Sequence, residues 1–392
     1  MKLQSNSVIN FIAILIAFFG GSWVFVVKPR LVILGYGRQL QPINNRSCNK
    51  IPQLSACEKI VLHQPTGVLY LACSTISSRV HWTPALGRLN STGASRKDYV
   101  ATYDPTTSAI TRLELRGFES TRGLSLHGMD VVSSSSNPSE LFVYLVNHRA
   151  PPGNLLATDV GADSVIEIFK TTLGGKAMTH IKTVRNPVIN TPNDVVGSAD
   201  GKSFYFTNDH GEKLGMLRVL DFFGRSTSSV GYCHVEVGCK YAIQNMHGNN
   251  GIARGPNSTI YVANCLKGGL NILDIQRDNT LVITDFVPAD RGMDNLSTDA
   301  EGFVWAAAFP DTLKLVLKHF SDPSINVPST ALRFSVNSGS IATPHKARYK
   351  AETMFEDDGN AASGITSVVY DSQRNFLFLS GHASSHLTIC KL

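Results

Sequence analysis

Six stretches of this chain repeat one pattern. Each has a polar or small pair, an apolar strand, a turn usually holding Gly, Asn or Asp, and a second strand rich in Val, Leu, Tyr or Phe. They are "EKIVLHQPTGVLYLACS" from Glu58, "HGMDVVSSSSNPSELFVYLVNH" from His127, "NDVVGSADGKSFYFTND" from Asn193, "NGIARGPNSTIYVAN" from Asn250, "DNLSTDAEGFVWAAA" from Asp294 and "SGITSVVYDSQRNFLFLSGH" from Ser363. Short apolar runs bounded by turn residues specify all-β structure. Six copies at intervals of roughly 45–70 residues match the blades of a propeller with loops of unequal length. Beyond residue 50 there is no helical periodicity, and no linker or low-complexity segment divides the chain. Residues 40–392 are therefore expected to form one six-bladed β-propeller. A pair of β-sandwiches would leave unexplained why polar residues recur at the same phase of each unit.

That phase carries the functional expectation. The first strand of each blade lines the central channel, so equivalent positions converge at one mouth. They are Glu58, His127, Asn193 with Asp194, Asn250, and Asp294 with Asn295. An Asn-Asp pair standing alone is ordinary punctuation before a strand. Five aligned positions argue instead for a cation, because buried carboxylates without one are costly. Amide and carboxylate oxygens suit Ca²⁺, and no Cys/His spacing suggests zinc.

Val8–Val27, "VINFIAILIAFFGGSWVFVV", is almost wholly apolar. Its length suits a membrane-spanning helix or a secretory signal peptide, and "GGS" at 20–22 is the nearest approach to a cleavage site. Residues 1–30 are thus expected to route the chain into the secretory pathway, leaving the propeller secreted or anchored on the lumenal or extracellular side. Basic residues on both flanks give no orientation. Sequons at Asn45, Asn90 and Asn257 and seven cysteines fit that compartment. Cys48 and Cys390 bracket the repeats, Cys57 and Cys73 sit symmetrically about a turn, and Cys233 and Cys239 flank a short loop. The pairing cannot be derived from spacing alone. A net charge of +6 with no long basic block gives no case for a nucleic-acid partner.

The motifs "SCNK" (47–50), "CEK" (57–59), "LHGMD" (126–130), "LVNHRA" (145–150), "PNDVV" (192–196), "FTNDHG" (206–211), "NNGIARG" (249–255), "MDNLS" (293–297) and the closing "ICKL" together resemble the serum paraoxonase/arylesterase family. The resemblance runs over nearly the whole chain beyond residue 45. It implies a calcium-dependent esterase or lactonase on a six-bladed propeller. It makes Glu58, Asn193, Asn250, Asp294 and Asn295 ligands of a catalytic calcium, Asp194 a ligand of a second, structural calcium, and His127 with His148 a histidine dyad. It also implies a Cys48–Cys390 disulfide. Two positions depart from the pattern. The family's acidic pair is here Glu58-Lys59, and an ammonium beside Asp194 would stand in for the second cation. A histidine expected after the fifth repeat is Phe309. Asp209 and His210 match a family Asp-His pair.

The implied chemistry is that of a calcium holding a carbonyl oxygen while His127 takes a proton from water and His148 carries it on. The bland reading of His127 is a strand-end residue bonded to a carbonyl. No G-x-S-x-G elbow points to a serine nucleophile. The alternatives are a gluconolactonase-like or strictosidine-synthase-like propeller, or a binding propeller without catalysis.

Overall fold

In the computed structural model, residues 2–336 and 349–392 are described. Six sheets follow one another along the chain, antiparallel except where Glu114–Arg116 pairs parallel with Ala177–Val184 at the edge of the second. Their first strands are Cys57–His63, Leu126–Ser133, Pro192–Gly197, Asn249–Arg254, Met293–Thr298 and Ser367–Asp371, which define blades I to VI in that order. Each inner strand packs against those of the blades before and after it, and the last returns to the first, so the six close into a ring. The chain is a six-bladed β-propeller. Inner strands are covered by their neighbours; Pro192–Gly197 is buried throughout, its polar Asn193 and Asp194 included.

The apolar residues do their work between blades. Leu69 and Leu71 of blade I pack with Val369 and Phe378 of blade VI. Ala263 and Leu270 of blade IV pack with Leu296 and Ala306 of blade V. Blade VI supplies only three strands of its own, and its outermost place is taken by Cys48–Ile51 from the start of the propeller. In that ladder Cys48 faces Cys390, and the two form a disulfide. For a crosslink spanning 342 residues the chain-entropy picture gives a stabilisation on the order of 5–6 kcal/mol. Cys57–Cys73 and Cys233–Cys239 bridge facing residues within blades I and III.

Short helices sit in the loops: Ile76–His81, Met216–Asp221 and Thr312–Lys314, the last running into a turn at Leu315–His319. None is long enough to show a 3.6-residue period, so the sequence reading contains none of them. The N-terminal helical segment is long and apolar enough over Ala13–Ile33 to cross a membrane. Its end docks on the propeller: Arg30 donates to Phe223 O (3.0 Å), Thr312 N to Leu34 O (3.2 Å), and Arg38 pairs with Asp290 (2.8 Å). Of the sequons, Asn90 and Asn257 are exposed. Asn45 is half-buried, and its Nδ2 donates to Asp357 Oδ1 at 2.9 Å.

Candidate metal centre and active site

The inner strands of blades I to V share one irregularity. Register with the second strand slips between Cys57 and Lys59, between Leu126 and Met129, between Pro192 and Val195, between Asn249 and Ile252, and between Met293 and Leu296. A bulge re-aims the side chains within it. The residues held in these five bulges are Glu58, His127, Asn193 with Asp194, Asn250, and Asp294 with Asn295. Backbones also approach closely here. A Cβ on Gly128 would lie 2.5 Å from Asp194 Cα, and one on Gly251 2.5 Å from Asn295 Cα. Only glycine lets these neighbouring strands come together.

The bulges gather oxygens at the floor of a cleft of about 810 Å³, its open mouth included, lined by Glu58, His127, Asn193, Asn250 and Asp294. Buried oxygens of Asn193, Asn250 and Asp294 (Oδ1 in each case) accept no hydrogen bond. Burial first, then the charges of Glu58 and Asp194, push the Asp294 carboxyl well above the usual carboxylate range. Three orphaned oxygens, one of them from a carboxylate that Glu58 repels, form with Glu58 a donor set that fits a divalent cation. Asn295 has a different posture: its Nδ2 donates to both Glu58 O and Glu58 Oε1 at 3.0 Å. Thr366 Oγ1 donates to Glu58 Oε2 (2.8 Å), so this carboxylate is braced from blades V and VI.

Asp194 also leaves its Oδ1 without a partner, but its other oxygen is taken up by a cation of the protein itself. Its Oδ2 is 2.5 Å from Lys59 Nζ and accepts from Ile252 N at 3.0 Å. Lys59 also donates to Leu296 O (3.0 Å), and both side chains are buried. Burial raises the Asp194 carboxyl and the ammonium opposes it. The carboxyl of Asp130, close by, is raised by burial to about 6.

His127 stands over the floor, its Nε2 3.4 Å from Asn193 Nδ2 and 3.9 Å from Glu58 Oε1. Burial holds its pKa well below the ordinary value; Glu58 pulls upward, while His148, His382 and Arg79 push down. His148 lies behind it, ring centroids 5.2 Å apart, with Nδ1 on Ser164 Oγ (2.8 Å) and a buried Nε2 without a partner. Asp209 and His210 line the cleft, and His210 Nδ1 sits 3.0 Å from Asp221. Phe309 packs with Leu315 and Phe320 in an apolar wall. Cys265 is the free thiol among the described residues, and burial pushes it up to about 12.

His382 is the residue the sequence reading missed. It is buried at the cleft floor with Nδ1 3.2 Å from Glu58 Oε2 and Nε2 2.8 Å from Thr83 Oγ1. A signal existed. Second strands end at the same mouth as first strands begin, and His382 follows the second strand of the sixth unit much as His148 ends that of the second.

Burial drives the His148 pKa down to about 3, against 6.5 for a free imidazole. The unfolded chain therefore takes up the proton first. Stability is complete above pH 6.5 and falls as pH drops from 6.5 toward 3, by on the order of 5 kcal/mol from this residue. Denaturant unfolding across that window should show the slope, and His148→Gln should flatten it. An unchanged slope in the variant would assign the acid sensitivity to other groups.

Comparison with known proteins matches this architecture. The chicken serum paraoxonase/arylesterase 2 (Gallus gallus) is 28% identical over 66% of this chain and 67% of its own length. Mouse (Mus musculus) serum paraoxonase/lactonase 3 is 27% identical over 65% of this chain and 66% of its own. The rabbit (Oryctolagus cuniculus) serum paraoxonase/lactonase 3 is 23% identical over 90% and 92%. Among solved structures, the pyranose dehydrogenase PQQ domain from Coprinopsis cinerea superposes with a TM-score of 0.50 at 8% identity, over 90% of this chain and 97% of that one. That likeness concerns the fold alone. The arylesterase family model matches residues 39–391, the whole propeller with its closing disulfide and its ring of bulged strands, and the chain belongs to the arylesterase family.

Proposed function

We propose that this chain is a calcium-dependent hydrolase of carboxylic esters or lactones. The observation that carries the reading is the set of three buried, unpartnered oxygens of Asn193, Asn250 and Asp294 beside Glu58 at the cleft floor. These four residues would hold the ion, with Asn295 bracing Glu58. When bound, calcium supplies a fixed positive charge that favours the oxyanion developing from a substrate carbonyl. His127 is the proton acceptor. Its ring stays neutral near pH 7 because burial and the nearby Arg79 disfavour the imidazolium. Asn193 Nδ2 lies 3.4 Å from Nε2, a donor that keeps the proton of the neutral ring on Nδ1 and the Nε2 lone pair toward the cleft floor, where an attacking water that displaces the amide would give up its proton. His148 lies behind His127, its ring tilted 56° and its Nε2 unpartnered, and would carry the proton on only transiently, since burial holds its own pKa near 3. The apolar wall of Phe309, Leu315 and Phe320 favours a hydrophobic acyl or leaving group.

The cleft rim is itself apolar. Phe222, Leu315 and Val316 line the cleft, and Met216 (79%), Phe223 (67%) and Leu317 (69%) stand exposed nearby. The N-terminal helix docks at the same rim through Arg30 and Leu34. This supports a propeller held against a lipid surface with its cleft turned toward that surface. Three disulfides support an oxidising lumenal or extracellular setting.

A panel of aryl esters and lactones, assayed before and after chelation and again with calcium restored, tests the function. Hydrolysis that disappears on chelation and returns with calcium supports it. Full activity in a calcium-free sample, or calcium binding with no hydrolysis of any ester or lactone, would overturn it.

A further inference from the structure

The hydrogen bonds around His382 determine which of its nitrogens carries the proton. The Thr83 hydroxyl donates to Arg79 O at 2.7 Å. Thr83 Oγ1 must then accept from His382 Nε2, 2.8 Å away. A neutral ring with its proton on Nε2 turns the Nδ1 lone pair toward Glu58 Oε2 at 3.2 Å. Two acceptors face one another in a buried site, an arrangement that calls for a cation between them. A third donor is at hand, since His127 Nε2 lies 3.9 Å from the other oxygen of Glu58. One ligand atom from each of Glu58, His127 and His382 falls within 4.8 Å of the other two.

We propose that Glu58, His127 and His382 form a nitrogen-bearing position for a borderline divalent cation of the zinc class, beside the oxygen cage and sharing Glu58 with it. Ligand chemistry separates the two positions. The cage offers only oxygen, which suits calcium, whereas two imidazoles and one carboxylate suit zinc, cobalt or nickel. One spacing already agrees: neighbouring ligands of a tetrahedral zinc stand about 3.3 Å apart, and the Glu58–His382 contact is 3.2 Å, while His127, 3.9 Å from the other Glu58 oxygen, would close in on binding. The Nε2–H of His382 on Thr83 is the outer hydrogen bond that orients metal-bound imidazoles. Phe309 and Phe320 close the apolar side of the site. An ion here takes the lone pair of His127, so zinc-class ions silence the hydrolysis proposed above. That consequence rests on the hydrolase reading; the binding itself does not.

The test uses the full chain saturated with calcium. Cobalt titration should develop visible ligand-field bands of a nitrogen-ligated, low-coordinate ion, and X-ray absorption of the zinc-loaded protein should show two imidazoles in the first shell. His382→Asn keeps an amide N–H toward Glu58 but removes the imidazole nitrogen, and zinc affinity should fall by at least about 100-fold. Calcium titration and thermal unfolding of the same variant report its integrity. A zinc shell without imidazole, a shell containing the Cys265 sulfur, or bands unchanged in His382→Asn would overturn the site, and the absorption experiment on the unmodified protein holds even if the variant misfolds. Loss of calcium dependence with an intact cobalt signal would sink the hydrolase reading and leave this site standing.

Discussion

Asp294→Ala is expected to abolish ester and lactone hydrolysis, lowering kcat/KM by about 1000-fold or more. Asp294 supplies one of the carboxylates that line the cleft, and its Oδ1 has no partner in the protein. Removing it leaves Glu58, with Asp209 elsewhere in the cleft lining, facing the orphaned amide oxygens, too little charge to hold calcium tightly at ordinary concentrations. The apo fold should respond in the opposite sense. Glu58 and Asp194 both push the Asp294 carboxyl upward, so deleting it relieves repulsion inside the channel. The variant should therefore unfold at a temperature that calcium no longer raises, whereas calcium should stabilise the unmodified protein by mass action. Kinetics with calorimetric calcium titration check both halves. A variant that binds calcium normally and still hydrolyses substrate would remove Asp294 from the centre.

Lys59→Asp carries the largest expected effect on stability. Lys59 and Asp194 form a buried pair at 2.5 Å, with Asp130 near enough to feel both. Reversing the charge leaves three carboxyl groups close together without a cation. Breaking one side of a buried ion pair costs about 3–5 kcal/mol, and the reversal should cost at least that in calcium-free buffer. Calcium should then restore stability by filling the place the ammonium held, about 2.7 kcal/mol when its concentration is 100 times the dissociation constant. Titration calorimetry should count one tight calcium in the unmodified protein and two in the variant. Two tight sites in the unmodified protein would show that the ammonium does not replace an ion.

The contact between Lys59 and Asp194 shows how far a linear reading reaches. The residues are 135 positions apart, yet both lie at the start of an inner strand, so phase alone predicts that they approach. Repeat phase similarly locates Glu58, His127, Asn193, Asn250 and Asp294, because rotational symmetry maps equal positions in each blade to equal heights on the axis. Phase does not say which atom of a side chain faces inward. Asn193 and Asn250 leave an oxygen bare, whereas Asn295 turns its amide nitrogen onto Glu58. That difference depends on a bulge and a carboxylate from another blade, which no local pattern encodes.

What the sequence by itself determined is therefore the propeller, its six-fold phase, its apolar N-terminal helix and the ring of polar residues at its mouth. These follow from periodicity, and periodicity is written along the chain. Tertiary structure alone decided the roles at the mouth. His382 follows a second strand and reaches Glu58 only because the ring closes blade VI against blade I, with Cys48–Ile51 completing the last sheet. The short helices at Met216–Asp221 and Thr312–Lys314 gain their conformation from packing on the cleft rim rather than from intrinsic propensity, since segments this short do not hold a helix in water. Closing the ring brings together residues hundreds of positions apart, and the chemistry of the site is set by those contacts.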